Sequence, residues 1–304
     1  MRRRVSGASA VELQDRVDRY FDSAAPYWKA IYDETTVYGV IHQERQARAL
    51  EWIDQLALPA NAPVLEIGCG AGLTSAALAD RGLKVTATDA APAMIHLTNE
   101  LVEARNLGHR IRTSQVDVHE LPFADASYTL VVALGVLPWL HDPELAMGEI
   151  ARVLRPGGFL LVNVDNVFRL HYLLDPRFNP ALAPIRQVAR KTLRVLGLVG
   201  PSDPTLSHLD VPARFDTELT RVGLNKMKGA TVGFGPFTFL HRPVFDEPRG
   251  IRLHRRLQSF ADRRTPVIRG LGAQYLVLAR KEDGAPGIVR AAIGATGAQE
   301  NPSA

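Results

Sequence analysis

Short runs of apolar and β-branched residues recur between residues 60 and 165, separated by longer stretches whose apolar positions fall on one helical face. Val64–Ile67, Lys84–Thr88, Ile111–Val116, Tyr128–Ala133 and Phe159–Val164 predict strands. Thr74–Arg81, Ala93–Leu107 and Leu145–Leu154 predict the helices between them. Such alternation is the signature of a parallel sheet carrying helices on its faces. Pro156-Gly157-Gly158 predicts a turn ahead of the fifth strand.

The flanking sequence extends the pattern. Val11–Phe21 and Ile41–Leu56 predict helices before the core; Asp216–Val222 predicts a helix after it, with strands at Lys226–Val232 and Ala273–Arg280. The expectation is an α/β fold: a doubly wound, seven-stranded, mostly parallel Rossmann-like sheet, preceded by a helical segment over 9–58. Segments at about 165–212 and 233–271 break the alternation. Insertions after strand ends are expected to cover the crevice where such sheets bind ligands. Residues 1–8 and about 283–304 are rich in Gly, Ala, Ser and Pro and read as mobile tails, leaving one domain over 9–282.

Composition narrows the class. The 304 residues are 46% hydrophobic, enough for one large domain with its own core. A net charge of +4, without a long basic stripe interleaved with aromatics, argues against a nucleic-acid partner. The single cysteine, Cys69, cannot form an intrachain disulfide, which suits a reducing compartment. No apolar run approaches the roughly 20 residues of a spanning helix, and a soluble, cytoplasmic protein is expected.

The strongest motif is Val64-Leu65-Glu66-Ile67-Gly68-Cys69-Gly70-Ala71-Gly72, an apolar strand running into Gly-x-Gly-x-Gly before a helix. Glycines suit a tight turn whose backbone must approach a ligand closely. A dinucleotide fingerprint would place its third glycine at position 73, where Leu73 stands. Asp89, followed by Ala90, closes the second strand, where a carboxylate can accept both hydroxyls of a ribose. Asp117-Val118 closes the third, placed to bond and pack on an adenine, and Leu134-Gly135-Val136 follows the fourth.

These residues resemble the class I S-adenosylmethionine-dependent methyltransferases, of the type 11/25-like small-molecule kind. The resemblance covers about residues 60–165, including Ile150–Gly158, and more loosely 213–224 and 273–280. It implies S-adenosylmethionine as cofactor and S-adenosylhomocysteine as product. Gly68, Gly70 and Gly72 would line the methionine part and Glu66 would position their loop. Asp89 with Ala90 would hold the ribose, Asp117 with Val118 the adenine, and Leu134 would complete the site. The stretch Tyr20-Phe21…Tyr27-Trp28…Ile31-Tyr32 resembles the porphyrin carboxyl methyltransferases.

Methyl transfer needs alignment and exclusion of water more than a catalytic residue. His141, just beyond the fourth strand, is the candidate general base for a hydroxyl acceptor; a helix-capping role is the competing reading. Tyr27 is the second candidate, against simple core packing. Asp165-Asn166 resembles the metal-binding pair of catechol-type O-methyltransferases, but Leu134-Gly135 stands where a third ligand is expected, so no metal is assigned.

Residues 183–199 predict a basic amphipathic helix, with Ile185, Val188, Ala189, Thr192, Val195, Leu196 and Val199 on one face and Arg186, Arg190, Lys191 and Arg194 on the other. This is either a peripheral membrane contact or a lid helix. Val232–Leu240, aromatic and glycine-rich, could wall an apolar acceptor pocket. The function expected is methyl transfer, O-methylation first, to a small and hydrophobic metabolite. The alternative is a non-catalytic protein that binds S-adenosylmethionine to regulate a partner. Oligomeric state has no signal in the sequence.

Overall fold

The computed structural model describes residues 7–195, 207–240 and 242–283. Helices α1 (Gly7–Ser23), α2 (Ala25–Ala30) and α3 (Val37–Asp54) precede the sheet. Then come β1 (Pro63–Ile67), α4 (Leu73–Asp80), β2 (Lys84–Asp89), α5 (Pro92–Ala104), β3 (Ile111–Gln115), β4 (Tyr128–Ala133), α6 (Pro143–Val153) and β5 (Leu154–Asp165). The remainder forms α7 (Leu170–Leu174), α8 (Ala183–Val195), α9 (Pro212–Arg221), β6 (Leu224–Val232), a short hairpin of β7 (Thr238–Phe239) and β8 (Arg242–Pro243), α10 (Glu247–Asp262) and β9 (Gln274–Lys281).

Seven strands form one sheet in the order β3-β2-β1-β4-β5-β9-β6. β1 to β5 pair in parallel; β9 runs antiparallel between β5 and β6. The doubly wound, mostly parallel α/β sheet read from the sequence is the fold observed.

The alternation of side chains across the strands builds two cores. Leu65, Ile67, Val131, Ala133, Leu160 and Val162 face α6 and α9, whose Ile150, Phe215 and Leu219 complete that side. Val64, Leu130, Val132 and Leu161 face the other way, against Ala49, Trp52 and Ile53 of α3 and Ala76 and Leu78 of α4. Every residue of β4 is buried, as a central strand covered on both faces must be.

Three features differ from the sequence reading. Pro156-Gly157-Gly158 lies inside β5 rather than before it: Tyr128 pairs with Leu154 and Leu130 with Phe159, so residues 155–158 bulge out of the ladder. α3 begins at Val37, where the Thr36 hydroxyl accepts the Gly39 N–H at 3.0 Å, and this early start brings Tyr38 onto the helix. The segment 233–271 holds a hairpin and the 16-residue α10, which docks on α3 through His254, buried and bonded to Glu44 at 2.9 Å. Residues 1–6, 196–206 and 284–304, including most of both tails and the end of the amphipathic segment, lie outside the described residues. Among the described residues no helix is long and apolar enough to cross a membrane.

Candidate active site

β1 leads straight into the glycine loop, and the loop's shape is forced by what surrounds it. Gly68 has φ +67°, and a Cβ there would stand 2.4 Å from Val136 Cγ2 of the β4 loop. Gly72, the N-cap of α4, has φ +80°, with a would-be Cβ 2.9 Å from Thr98 Cγ2. Both positions therefore exclude side chains on conformation and on space.

Asp89, at the end of β2, holds the loop from the other side. One carboxylate oxygen accepts the Gly70 N–H at 3.0 Å and the other the Ala91 N–H at 3.0 Å. Burial raises its pKa, and these two amides oppose the rise. Thr98 of α5 donates to the Gly70 carbonyl at 2.8 Å. Cys69 is buried with its sulfur 3.4 Å from Thr98 Oγ1, and burial pushes its thiol well above the usual range. It packs and does not react.

Glu66 is fully enclosed beneath the loop, where Ser75 donates to its carboxylate. Burial pushes its pKa up to about 8, so it is protonated at neutral pH.

Asp117 follows β3. His119 donates to its Oδ1 from Nδ1 at 2.6 Å and from the backbone at 2.9 Å, which lowers the Asp117 pKa. His119 Nε2 accepts the Asp142 N–H at 3.4 Å, which fixes the tautomer. The His141 ring stacks on His119 with centroids 3.9 Å apart. Its Nδ1 donates to Gln14 Oε1 of α1 at 3.1 Å. Burial, and then His119, lower the His141 pKa.

A single cavity of about 1340 Å³, counting its open mouth, runs from this loop to the start of β9. Glu66, Gly68, Gly70, Asp89, Ala90, Asp117, Val118 and Leu134 line it. So do the aromatic and polar side chains Trp28, Tyr32, Tyr38, His42, Arg45, Asp165 and Gln274, with Trp28 packed beside Ala91 and Met94. α1 roofs it with Gln14, Val17, Asp18 and Phe21. Trp28 presents a buried indole N–H without a partner among the described residues. The volume, the cradle without side chains and the orphaned donor suit a nucleoside-bearing ligand with room for a second molecule.

Residues 65–162 match the model of the Methyltransf_11 family, described as a methyltransferase domain. The chain is 38% identical over 154 residues to a malonyl-[acyl-carrier protein] O-methyltransferase of Methylovorus sp. (strain MP688), covering 48% of each. It spans about half of that relative's length. It is 26% identical over 228 residues to a ubiquinone biosynthesis O-methyltransferase of Hydrogenovibrio crunogenus, covering 73% of this chain and 85% of the relative. In fold it resembles the magnesium protoporphyrin IX methyltransferase from Synechocystis PCC 6803, solved with bound SAH, at TM-score 0.58 and 17% identity over 88% of this chain and 99% of that one. Over residues 65–162 the chain carries a methyltransferase domain, and it is similar there to S-adenosylmethionine-dependent methyltransferases. S-adenosylmethionine is their cofactor.

The fold brings most of the sequence-predicted cofactor residues to this cavity; Gly72 stands behind the loop as the helix cap. The two catalytic candidates lie elsewhere. His141 is turned towards Gln14 and His119, and Tyr27 is 44% exposed; neither lines the cavity. Val232–Leu240 does not reach the cavity either: Phe234 is buried and its N–H donates to His254 Nδ1 at 3.0 Å. Asp165 pairs with Arg169 at 2.9 Å, and the Asn166 amide donates to the Gly270 and Gly272 carbonyls, both at 2.8 Å.

Sequence reasoning missed the cavity-lining stripe Tyr38, His42 and Arg45. Its signal was the i, i+4, i+7 spacing on a helix whose continuing face, Ala49 and Trp52, enters the core. His42 Nδ1 donates to the Tyr38 carbonyl at 2.9 Å, leaving Nε2 as the ring's acceptor. Burial, with Arg45 adding to it, pushes the His42 pKa down to about 3. Burial likewise raises the Tyr38 phenol, so both are neutral near pH 7.

Glu66 gives a pH-dependent prediction. Its folded pKa of about 8 exceeds its ordinary 4.5, so between these values the folded chain binds a proton that the unfolded chain lacks. Stability is then lost as pH rises through that window. Glu66→Gln should flatten this decline, seen as a smaller drop in melting temperature between about pH 5 and 8. Parallel curves for variant and parent would show that Glu66 is ionised in the fold.

Proposed function

We propose that this protein transfers the methyl group of S-adenosylmethionine to an oxygen of a small, amphipathic metabolite. The observation that carries this reading is the single cavity that joins the glycine cradle to the Tyr32–Tyr38–His42–Arg45 wall. Gly68 and Gly70 would hold the methionine part, Asp89 with Ala90 the ribose, and Asp117 with Val118 the adenine. When bound, the cofactor supplies an electrophilic methyl and its own leaving group.

The chain's part is to orient the acceptor and exclude water. α1 roofs the cavity through Phe21, which meets Trp139 edge-on at 5.1 Å, and through Gln14 on His141. A hydroxyl acceptor becomes strongly acidic as its oxygen gains a methyl, so even a weakly basic neutral imidazole can take the proton. We assign this to His42 Nε2, because His42 lines the cavity whereas His141 and Tyr27 do not. His141 instead braces the roof. The relatives named O-methyltransferases support oxygen as the methylated atom.

An exposed apolar patch supports a hydrophobic acceptor drawn from a membrane. On α8, Ile185 and Val188 are 67% and 68% exposed, and Leu174 and Leu240 are exposed nearby, joined through the Asp175–Leu240 contact. Residues 165–195 carry six Lys or Arg against two Asp, which favours an anionic lipid surface. The proposed contact, 183–199, is described only as far as Val195. A cytoplasmic setting belongs to this reading.

The direct test is methyl-labelled S-adenosylmethionine added to an extract of the native organism, followed by organic and aqueous partition. Label in the organic phase is expected. Cofactor binding without label in either phase would favour the non-catalytic regulatory role. Asp89→Ala should weaken S-adenosylhomocysteine by about 1–3 kcal/mol, the scale of a lost charge-assisted hydrogen bond; unchanged affinity would remove Asp89 from the ribose site. His42→Ala should slow turnover by about 10²-fold at unchanged cofactor affinity, the scale of general base catalysis, and His141→Ala by far less. Ile185→Glu with Val188→Glu should abolish sedimentation with phosphatidylglycerol vesicles; sedimentation equal to the parent's would reduce α8 to a lid.

A further inference from the structure

Where α3 begins, a second and smaller groove opens between that helix, the β7–β8 hairpin and the first turn of α10. It measures about 460 Å³ counting its open mouth, and Val37, Tyr38, Pro236, Phe237, Pro243 and Phe245 give it apolar walls. Two glycines let the hairpin stem and α10 close on Val37: a Cβ at Gly235 or Gly250 would stand 2.7 or 2.6 Å from one of its methyl carbons. The Val244 N–H donates to the Phe237 carbonyl at 2.9 Å, and the Phe237 and Phe245 rings meet edge-on with centroids 5.9 Å apart.

The lining selects hydrocarbon. Two of its polar side chains serve the start of α3: the Thr36 hydroxyl accepts the Gly39 N–H and donates to Glu34 at 2.9 Å, and Glu247 accepts the Val37 N–H at 2.6 Å. Around the hairpin, Phe239, Leu240, Val244 and Phe245 are each between 42% and 55% exposed. Single exposed apolar residues need no explanation, but a contiguous group beside an apolar groove marks a contact surface.

The groove meets the large cavity at Tyr38, which lines both. His42 follows one turn further along α3, about 6 Å of helical rise, with its ring centroid 4.4 Å from that of Tyr38. A molecule whose reacting oxygen lies at His42 and whose chain runs back along α3 therefore enters the groove within a few carbons.

We propose that this groove seats the apolar tail of the methyl acceptor, an alkyl or isoprenoid chain, with Tyr38 at the crossing from head to tail. The proposal rests on the methyl-transfer reading and adds to it a chain long enough to pass Tyr38. The same chemistry could come from an acyl chain of a bilayer lipid; the shared Tyr38 assigns the groove to the acceptor. The hairpin also meets the segment that leads into α8, through the Leu240 N–H on Asp175 at 3.2 Å, so a tail drawn from a membrane at α8 has a short path to the groove.

The test has two arms, both on the full-length protein saturated with cofactor. In the first, decan-1-ol carrying a diazirine on its terminal carbon is irradiated with the protein and S-adenosylhomocysteine, and the adducts are mapped by mass spectrometry. Adducts are expected within residues 36–38 and 236–250, and Thr238→Trp, which fills the groove from the hairpin, should reduce them at least tenfold. In the second, the organic extract of the native organism is the acceptor, delivered on methyl-β-cyclodextrin without vesicles. Thr238→Trp should raise the half-saturating amount of extract tenfold or more, since each buried methylene is worth nearly fourfold in affinity. Calorimetry should find S-adenosylhomocysteine affinity within about twofold of the parent's. Phe245→Ala, which removes a half-exposed wall, should act in the same direction by about threefold and carries the test if the Trp variant does not fold.

Adducts confined to the large cavity or to α8 in the parent would overturn the proposal. So would half-saturation unchanged in both variants; if vesicle sedimentation then falls, the groove belongs to a bilayer lipid. Labelled product found only in the aqueous phase would remove the tail and leave methyl transfer standing. A parent that binds no S-adenosylhomocysteine would instead remove the methyl-transfer reading, and the acceptor's claim on the groove with it, even where the decanol probe still marks residues 236–250.

Discussion

The contact between Gly68 and Val136 sets the rest of the site. It brings the loop after β1 against the loop after β4 with no room for a side chain, so the two strand ends open as one crevice. Asp89 then fixes the free edge of the loop by taking the Gly70 and Ala91 amides, which ties β1, β2 and the start of α5 together. Glu66 lies beneath, kept neutral by burial and held by Ser75 of α4. The glycine loop and the end of β2 are positioned by these few bonds between backbone and acid, and Asp117 is placed separately by His119. They sit on a sheet whose central strand, β4, is buried along its whole length.

That half of the site was legible because its signals are local. A strand, a glycine run and a helix follow one another within residues 64–80, and the acids of β2 and β3 stand at strand ends that apolar runs already mark. The residues that α3 and β9 add to the cavity have no such signature. Tyr38, His42 and Arg45 lie on a helix more than twenty residues ahead of the loop, and Gln274 comes from the last strand. Only the insertion of β9 between β5 and β6 brings Gln274 beside Asp165 and opposite Arg45. The misplacement of His141 has a similar cause. Its position after β4 is that of a pocket residue, but α1, which no short-range pattern ties to β4, captures it through Gln14. The turn at Pro156-Gly157-Gly158 was real in conformation, with Gly157 at φ +71°, yet the ladder resumes beyond it and it became a bulge.

α10 and the β7–β8 hairpin were invisible for a different reason. The helix carries many arginines and a weak apolar face, and its hold on the protein is polar. His254 and Gln258 are buried and serve Glu44, Phe234, Gly233 and Thr231 by hydrogen bonds. Polar docking of this kind leaves no hydrophobic period to read. Its consequence for the site is indirect: α10 fixes α3, and α3 presents Tyr38, His42 and Arg45 to the cavity.

Burial decides which charges the cavity keeps. Glu66 is neutralised by protonation and His42 by deprotonation, because burial raises the pKa of the one and lowers that of the other, whereas the guanidinium of Arg45 keeps its charge. In a medium of low dielectric a charge that remains weighs more than it would in water, so the buried Arg45 shapes the field that any ligand of this cavity meets.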